Sequence, residues 1–128
     1  MKLLLDTHAL LWWFRDDPAL SRPAHAAIAD GESQVFVSAV SAFEIALKFR
    51  LGKLPHARGL VAGFQQMVAG YGFTPLDVSA EHGLVAGALA TGHRDPFDRL
   101  LIAQAIVENL TLVSDERVFD TAGASRLW

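Results

Sequence analysis

The chain has 128 residues, of which 52% are hydrophobic and 20% charged, with no cysteine and a formal net charge of −3. This describes one domain, 1–128, with enough apolar mass for a sizeable core. It excludes a disordered chain, a disulfide scaffold, a thiolate zinc site and a cysteine nucleophile. A net acidic chain does not coat nucleic acid by bulk positive charge, although bound cations can reverse the sign locally.

Leu3 to Phe14 is apolar but broken by Asp6, Thr7 and His8, and is too short to span a membrane. Only Lys2 precedes it as a charge, and Asp16-Asp17-Pro18 stands where a signal peptide would have small residues. The expectation is a cytoplasmic protein with no membrane segment.

Lys2 to Asp6 is a short apolar run ending in a carboxylate, the pattern of a strand buried on both faces. Thr7 to Phe14 reads as helix, and Asp16-Asp17-Pro18 as a break. Ser21-Arg22-Pro23 opens a second helix running to about Ala29, with proline near its first position. Gln34 to Val37 is a second strand. Ser38 to Leu51 is a helix with Val40, Phe43, Leu47 and Leu51 at helical spacing, stopped by Gly52. Leu60 to Val68 is a further helix. Phe73 to Leu76 is an edge strand, because Pro75 cannot donate to a ladder.

Ser79 to Leu89 is helical, and Thr91 to Arg94 is loop. Asp95-Pro96 starts a periodic helix through Glu108. Thr111 to Val113 is a fourth strand, followed by Ser114-Asp115 and a short helical turn. Arg126 to Trp128 is a candidate fifth strand. Alternating strands and helices predict an α/β domain, a parallel sheet of four or five strands with helices on both faces. In such sheets, sites form outside the carboxyl ends of the strands.

Four acids fall at that end. Asp6 closes the first strand, Asp115 follows the fourth, Glu44 lies in the helix after the second, and Asp98 lies in the first turn of the helix before the fourth. Converging carboxylates repel one another unless cations sit between them. Hard cations such as Mg²⁺ and Mn²⁺ prefer such oxygens, and two of them can activate water against a phosphodiester.

Each acid also has a reading as a helix cap. Ser41-Ala42-Phe43-Glu44 matches a capping box, and Asp95-Pro96-Phe97-Asp98 matches an N-cap, an N1 proline and a first-turn acid. Asp6 and Asp115 stand where each could cap the helix that follows. Within the 95/98 pair, the cap is assigned to Asp95 and the ligand to Asp98.

These residues carry a resemblance. Leu4-Leu5-Asp6-Thr7-His8-Ala9-Leu10-Leu11-Trp12, Ser38-Ala39-Val40-Ser41-Ala42-Phe43-Glu44-Ile45, Asp95-Pro96-Phe97-Asp98-Arg99-Leu100-Leu101-Ile102-Ala103 and Leu112-Val113-Ser114-Asp115 span the chain. Together they resemble the PIN-domain ribonucleases, specifically the VapC-type toxins of toxin–antitoxin pairs. The resemblance implies an Mg²⁺- or Mn²⁺-dependent endoribonuclease that forms a homodimer and is inhibited by a small cognate antitoxin. Asp6, Glu44, Asp98 and Asp115 fall on the family's acidic positions, with Glu116 the alternative fourth acid. Asp6 and Asp98 would be the main ligands, and a metal-bound water would attack single-stranded RNA.

Thr7 and Ser114 would orient waters or a carboxylate, or act as local caps. Arg94 and Arg99 suit phosphate contacts or a solvated helix start. The five histidines lack zinc-site spacing, and His8 reads as a core or supporting residue before a chemical one. Trp12, Trp13 and Phe14 cannot all face one core from a helix, which suggests an interface.

Three alternatives are weighed. A receiver-type phosphoacceptor domain would pair acids after the first strand and carry a lysine after the last strands. Asp6 stands alone, and the only lysines are Lys2, Lys48 and Lys53. A dehalogenase-type phosphatase needs an aspartate where His8 stands. A catalytically inactive PIN-like binding module would not need all four acids.

Overall fold

A computed structural model describes all residues, Met1–Trp128. The elements run β1 (Lys2–Leu5), α1 (Thr7–Arg15), α2 (Arg22–Ala29), β2 (Gln34–Ser38), α3 (Ala39–Arg50), α4 (Arg58–Ala62), α5 (Phe64–Gly70), β3 (Thr74–Leu76), α6 (Ala80–Ala88), α7 (Pro96–Val107), β4 (Thr111–Val113), a 3-10 turn (Arg117–Ala122) and β5 (Ser125–Leu127). All strands pair in parallel, in the order β3-β2-β1-β4-β5.

The sheet order follows from the sequence pattern. Leu3, Leu4 and Leu5 are wholly buried, so β1 takes the centre. β3 carries Pro75 and lies at an edge, where a missing donor costs least. Because side chains alternate along a strand, Leu3 and Leu5 enter one core with Leu10, Ala24, Ile28, Val35 and Val68. Leu4 and Leu112 enter the other, with Leu101, Ile102, Ala105 and Phe119. The helices thus cover both faces. No helix is long and apolar enough to cross a membrane.

One expectation about the helices changes. Leu60 to Val68 is not one helix. Its span falls in α4 and α5, separated at Gly63, whose backbone (φ −114°, ψ 23°) leaves the helical region. α3 ends as expected. Gly52 sits at φ 76°, and the amides of Gly52 and Lys53 bond back to the carbonyls of Phe49 and Lys48, closing a Schellman motif.

The aromatic run is also resolved differently. Trp12, Trp13 and Phe14 are each half-buried, and each finds its own partners within the chain. Trp12 meets His8 and Trp128, Trp13 meets His25, Tyr71 and Phe73, and Phe14 meets Tyr71. The exposed apolar side chains lie elsewhere, led by Leu84 at 75% and Phe43 at 62%.

Candidate functional site: an acidic cleft at the carboxyl edge of the sheet

Where β1 ends, the chain turns into α1 with Asp6 as N-cap, its Oδ1 accepting from the Ala9 N–H at 2.7 Å. The cap occupies one carboxylate oxygen, so capping and ligation are compatible at this residue. Asp6 is buried, and that burial pushes its pKa up to about 6. The Ser114 hydroxyl, the Ala9 N–H and His8 pull it down in part, while Asp115 pushes it further up.

Glu44 reaches the same place from the second turn of α3. Its capping-box reading is overturned. Ser38 is the N-cap of α3, donating no such role to Ser41, whose hydroxyl instead pairs with Thr7 Oγ1 at 3.0 Å. That buried contact ties the start of α1 to α3, one turn before Glu44. The Glu44 carboxylate meets Lys48 Nζ at 2.6 Å.

α7 supplies the third acid. Asp95 is its N-cap, accepting from the N–H groups of Phe97 (2.8 Å) and Asp98 (3.3 Å). Asp98 is thereby free of the capping role. Its Oδ2 is met by His93 Nε2 at 2.7 Å. Burial raises the Asp98 pKa, the His93 bond lowers it, and Asp95 and Glu116 raise it.

A cleft of about 80 Å³ is lined by Asp6, Thr7, His8, Glu44, Lys48, Asp95, Asp98 and Glu116, with no hydrophobic residue. A separate pocket of about 140 Å³ between β2, β3 and α5 is largely apolar and holds one acid, Asp77. Asp115 is exposed and is not part of the cleft wall. After β4 the backbone bends at Asp115, and the Glu116 N–H bonds back to Ser114 Oγ at 3.0 Å. Asp115 caps nothing; the N-cap of the 3-10 turn is Glu116, without a side-chain bond.

Several supporting residues have other roles than expected. Arg99 donates to the carbonyls of Ala86, Gly87, Leu89, Thr91 and His93, so its guanidinium holds the α6–α7 loop and is not offered to phosphate. Arg94 is exposed. His8 is exposed and stacks on Trp12, not in the core. Ser114 is buried and accepts from the Glu116 N–H at 3.0 Å. His93 and Lys48 were not legible as site residues. Lys48 had one signal, its i,i+4 spacing from Glu44.

Five of the eight cleft residues are carboxylates, oxygen donors that fit a hard divalent cation better than a soft one. No three of these groups stand close enough to share an ion in this conformation. Glu44 is engaged by Lys48 and Asp98 by His93.

The structure defines an α/β domain with an acidic cleft at the carboxyl edge of a parallel sheet. The PIN domain family model matches residues 3–124, and the chain belongs to that family. A ribonuclease from Mycobacterium tuberculosis, VapC22, is 34% identical over 119 residues, 90% of this chain and 87% of that protein. The fold is similar to two solved structures. One is VapBC2 from Rickettsia felis bound to a promoter DNA fragment, with TM-score 0.73, 16% identity, and 99% and 98% of the chains covered. The other is DNA-bound VapBC from Salmonella typhimurium, with TM-score 0.70, 17% identity, and 100% and 97% covered.

Proposed function

We propose that the protein is an endoribonuclease, the toxin of a toxin–antitoxin pair, which cleaves RNA with Mg²⁺ or Mn²⁺ held in the acidic cleft. The observation that carries this is that Asp6, Glu44 and Asp98, from three separate parts of the chain, line one cleft with no hydrophobic wall. The VapC22 relationship supports RNA as the substrate.

Asp6, Glu44 and Asp98 would hold the cation, with Glu116 as the fourth acid in preference to Asp115. A bound divalent cation there supplies an activated water and stabilises charge on the phosphate. The chain's own residues prepare the site. The Thr7–Ser41 bond sets α1 against α3, and so Asp6 against Glu44. His93 orients the Asp98 carboxylate. Arg94, exposed beside the cleft's Asp95, is free to meet an RNA phosphate.

The VapBC complexes among the structural neighbours support a small antitoxin as partner, and the family resemblance supports a homodimer. Co-expression with such an antitoxin should give a tight complex with little nuclease activity. Recovery of free, fully active toxin from that co-expression would contradict the pairing.

The test of the activity is cleavage of single-stranded RNA by protein stripped of metal and then given Mg²⁺ or Mn²⁺. Cleavage should vanish in chelator and return with either ion. Cleavage that persists in excess chelator overturns the metal reading.

A further inference from the structure

The cleft wall contains five carboxylate residues and a single lysine. Lys48 is not a remote surface charge. Its side chain is 33% exposed, and its ammonium is in direct contact with Glu44, whose side chain is only 8% exposed. The pair is built by α3, which sets residues four apart on one face with glutamate preceding lysine, the favourable order. Glu44 is also one of the residues assigned above to the cation. One carboxylate in the cleft therefore faces two claims, from a tethered monovalent cation and from a free divalent one.

Lysine suits such an exchange. Its charge is a compact point on four flexible carbons, with no fixed fork that would bind Glu44 in one geometry. Displacement from Glu44 does not remove it from the site, because the stem stays anchored on α3 among the cleft residues. The ammonium then needs another anion. Asp6, Asp98 and Glu116 are assigned to the same cation and the Asp95 carboxylate caps α7, which leaves the phosphate of a bound substrate as the anion still unpaired.

We propose that Lys48 is an exchangeable counter-ion, which neutralises Glu44 in the metal-free protein, yields it to the divalent cation, and then pairs with a phosphate of the RNA in the cleft. This rests on the metal-dependent reading of the cleft. In the metal-free protein, Lys48 offsets the repulsion among desolvated carboxylates. In the loaded protein it is a substrate-binding group.

The experiment titrates Mn²⁺ alone into wild type, Lys48→Met and Lys48→Arg by calorimetry, and measures kcat and KM on a mixed-sequence single-stranded RNA. Lys48→Met removes the competitor, so its Mn²⁺ affinity should rise about two- to fivefold, the scale of a partly exposed ion pair. Its metal-free melting temperature should fall, and its KM for RNA should rise more than its kcat falls. Lys48→Arg keeps the charge and should stay near wild type in Mn²⁺ affinity. Unchanged or weaker Mn²⁺ binding by Lys48→Met overturns the exchange, and an unchanged KM overturns the phosphate contact. Wild type that binds no Mn²⁺ overturns the metal reading itself, and the exchange with it. Lys48→Gln serves the same comparison if the methionine variant does not fold.

Discussion

Asp6 carries a cost that the site has to bear. Its folded-state pKa of about 6 lies above the ordinary 3.8, so the ionised form is the one the fold penalises. The sign follows from linkage. The penalty is full above pH 6, fades as pH falls through the folded value, and is gone below 3.8, where the group is protonated in both states. Such a shift corresponds to about 3 kcal/mol at neutral pH. Asp6→Asn keeps the cap to Ala9 and removes the charge, so metal-free protein should melt higher than wild type at pH 7. Thermal melts across the pH range should show that advantage disappearing toward pH 4. Metal affinity of the wild type should fall as pH drops through 6, since a proton then competes for the same carboxylate.

Single residues were legible to unequal degrees. Asp6 and Asp98 stood out because strand ends and helix starts are easily read, and Asp95 was separable from Asp98 by its place before Pro96. Glu44 was legible as an acid but not in its local role, because Ser41 mimicked a cap that Ser38 provides. His93 was hidden because a loop residue five positions from Asp98 follows no period. Asp115 and Glu116 could not be told apart, because neighbours in an irregular segment follow no period that says which one lines the cleft.

At the scale of elements, the loop between α6 and α7 is the vulnerable part. It carries His93 and Asp95, and its carbonyls are gathered by one side chain, Arg99. Arg99→Met should cost about 2–3 kcal/mol, since several acceptors lose a charged donor at once. The α6–α7 loop should become the first site of limited proteolysis, and RNA cleavage should fall even though Arg99 touches no substrate. At the far end of α3, Gly52→Ala places a Cβ on a residue at φ 76° and should lower stability by about 1 kcal/mol, read as a lower melting temperature, with cleavage retained. The order and type of the elements followed from periodicity, Pro75 and Gly52. The break at Gly63 did not, because an apolar stretch with glycines reads equally well as one helix or two. The capping box of α6 was missed as well. His82 takes the place usually held by Glu or Gln, bonding the Ser79 N–H through Nδ1.

For the whole molecule, the parallel sheet decides where chemistry sits. β1 lies at the centre of the strand order, so the turn that follows it opens where α1, α3 and α7 all begin close by. The alternation of Leu3, Leu4 and Leu5 between two cores made this architecture readable in advance. What the sequence could not show was that the carboxylates arrive already partnered, Glu44 with Lys48 and Asp98 with His93. Those pairs depend on side-chain rotamers, within α3 for the first and between the α6–α7 loop and α7 for the second.

The central claim is that the acids at this edge hold a cation for RNA cleavage and are not merely helix caps. It is tested most directly by comparing RNA cleavage in Mn²⁺ by wild type, Asp98→Asn and Asp95→Asn. Asn caps a helix nearly as well as Asp but is a poorer ligand for a hard cation. Asp95→Asn should cleave like wild type, while Asp98→Asn should lose cleavage and yet melt, metal-free, no lower than wild type. Normal cleavage by Asp98→Asn would contradict the account.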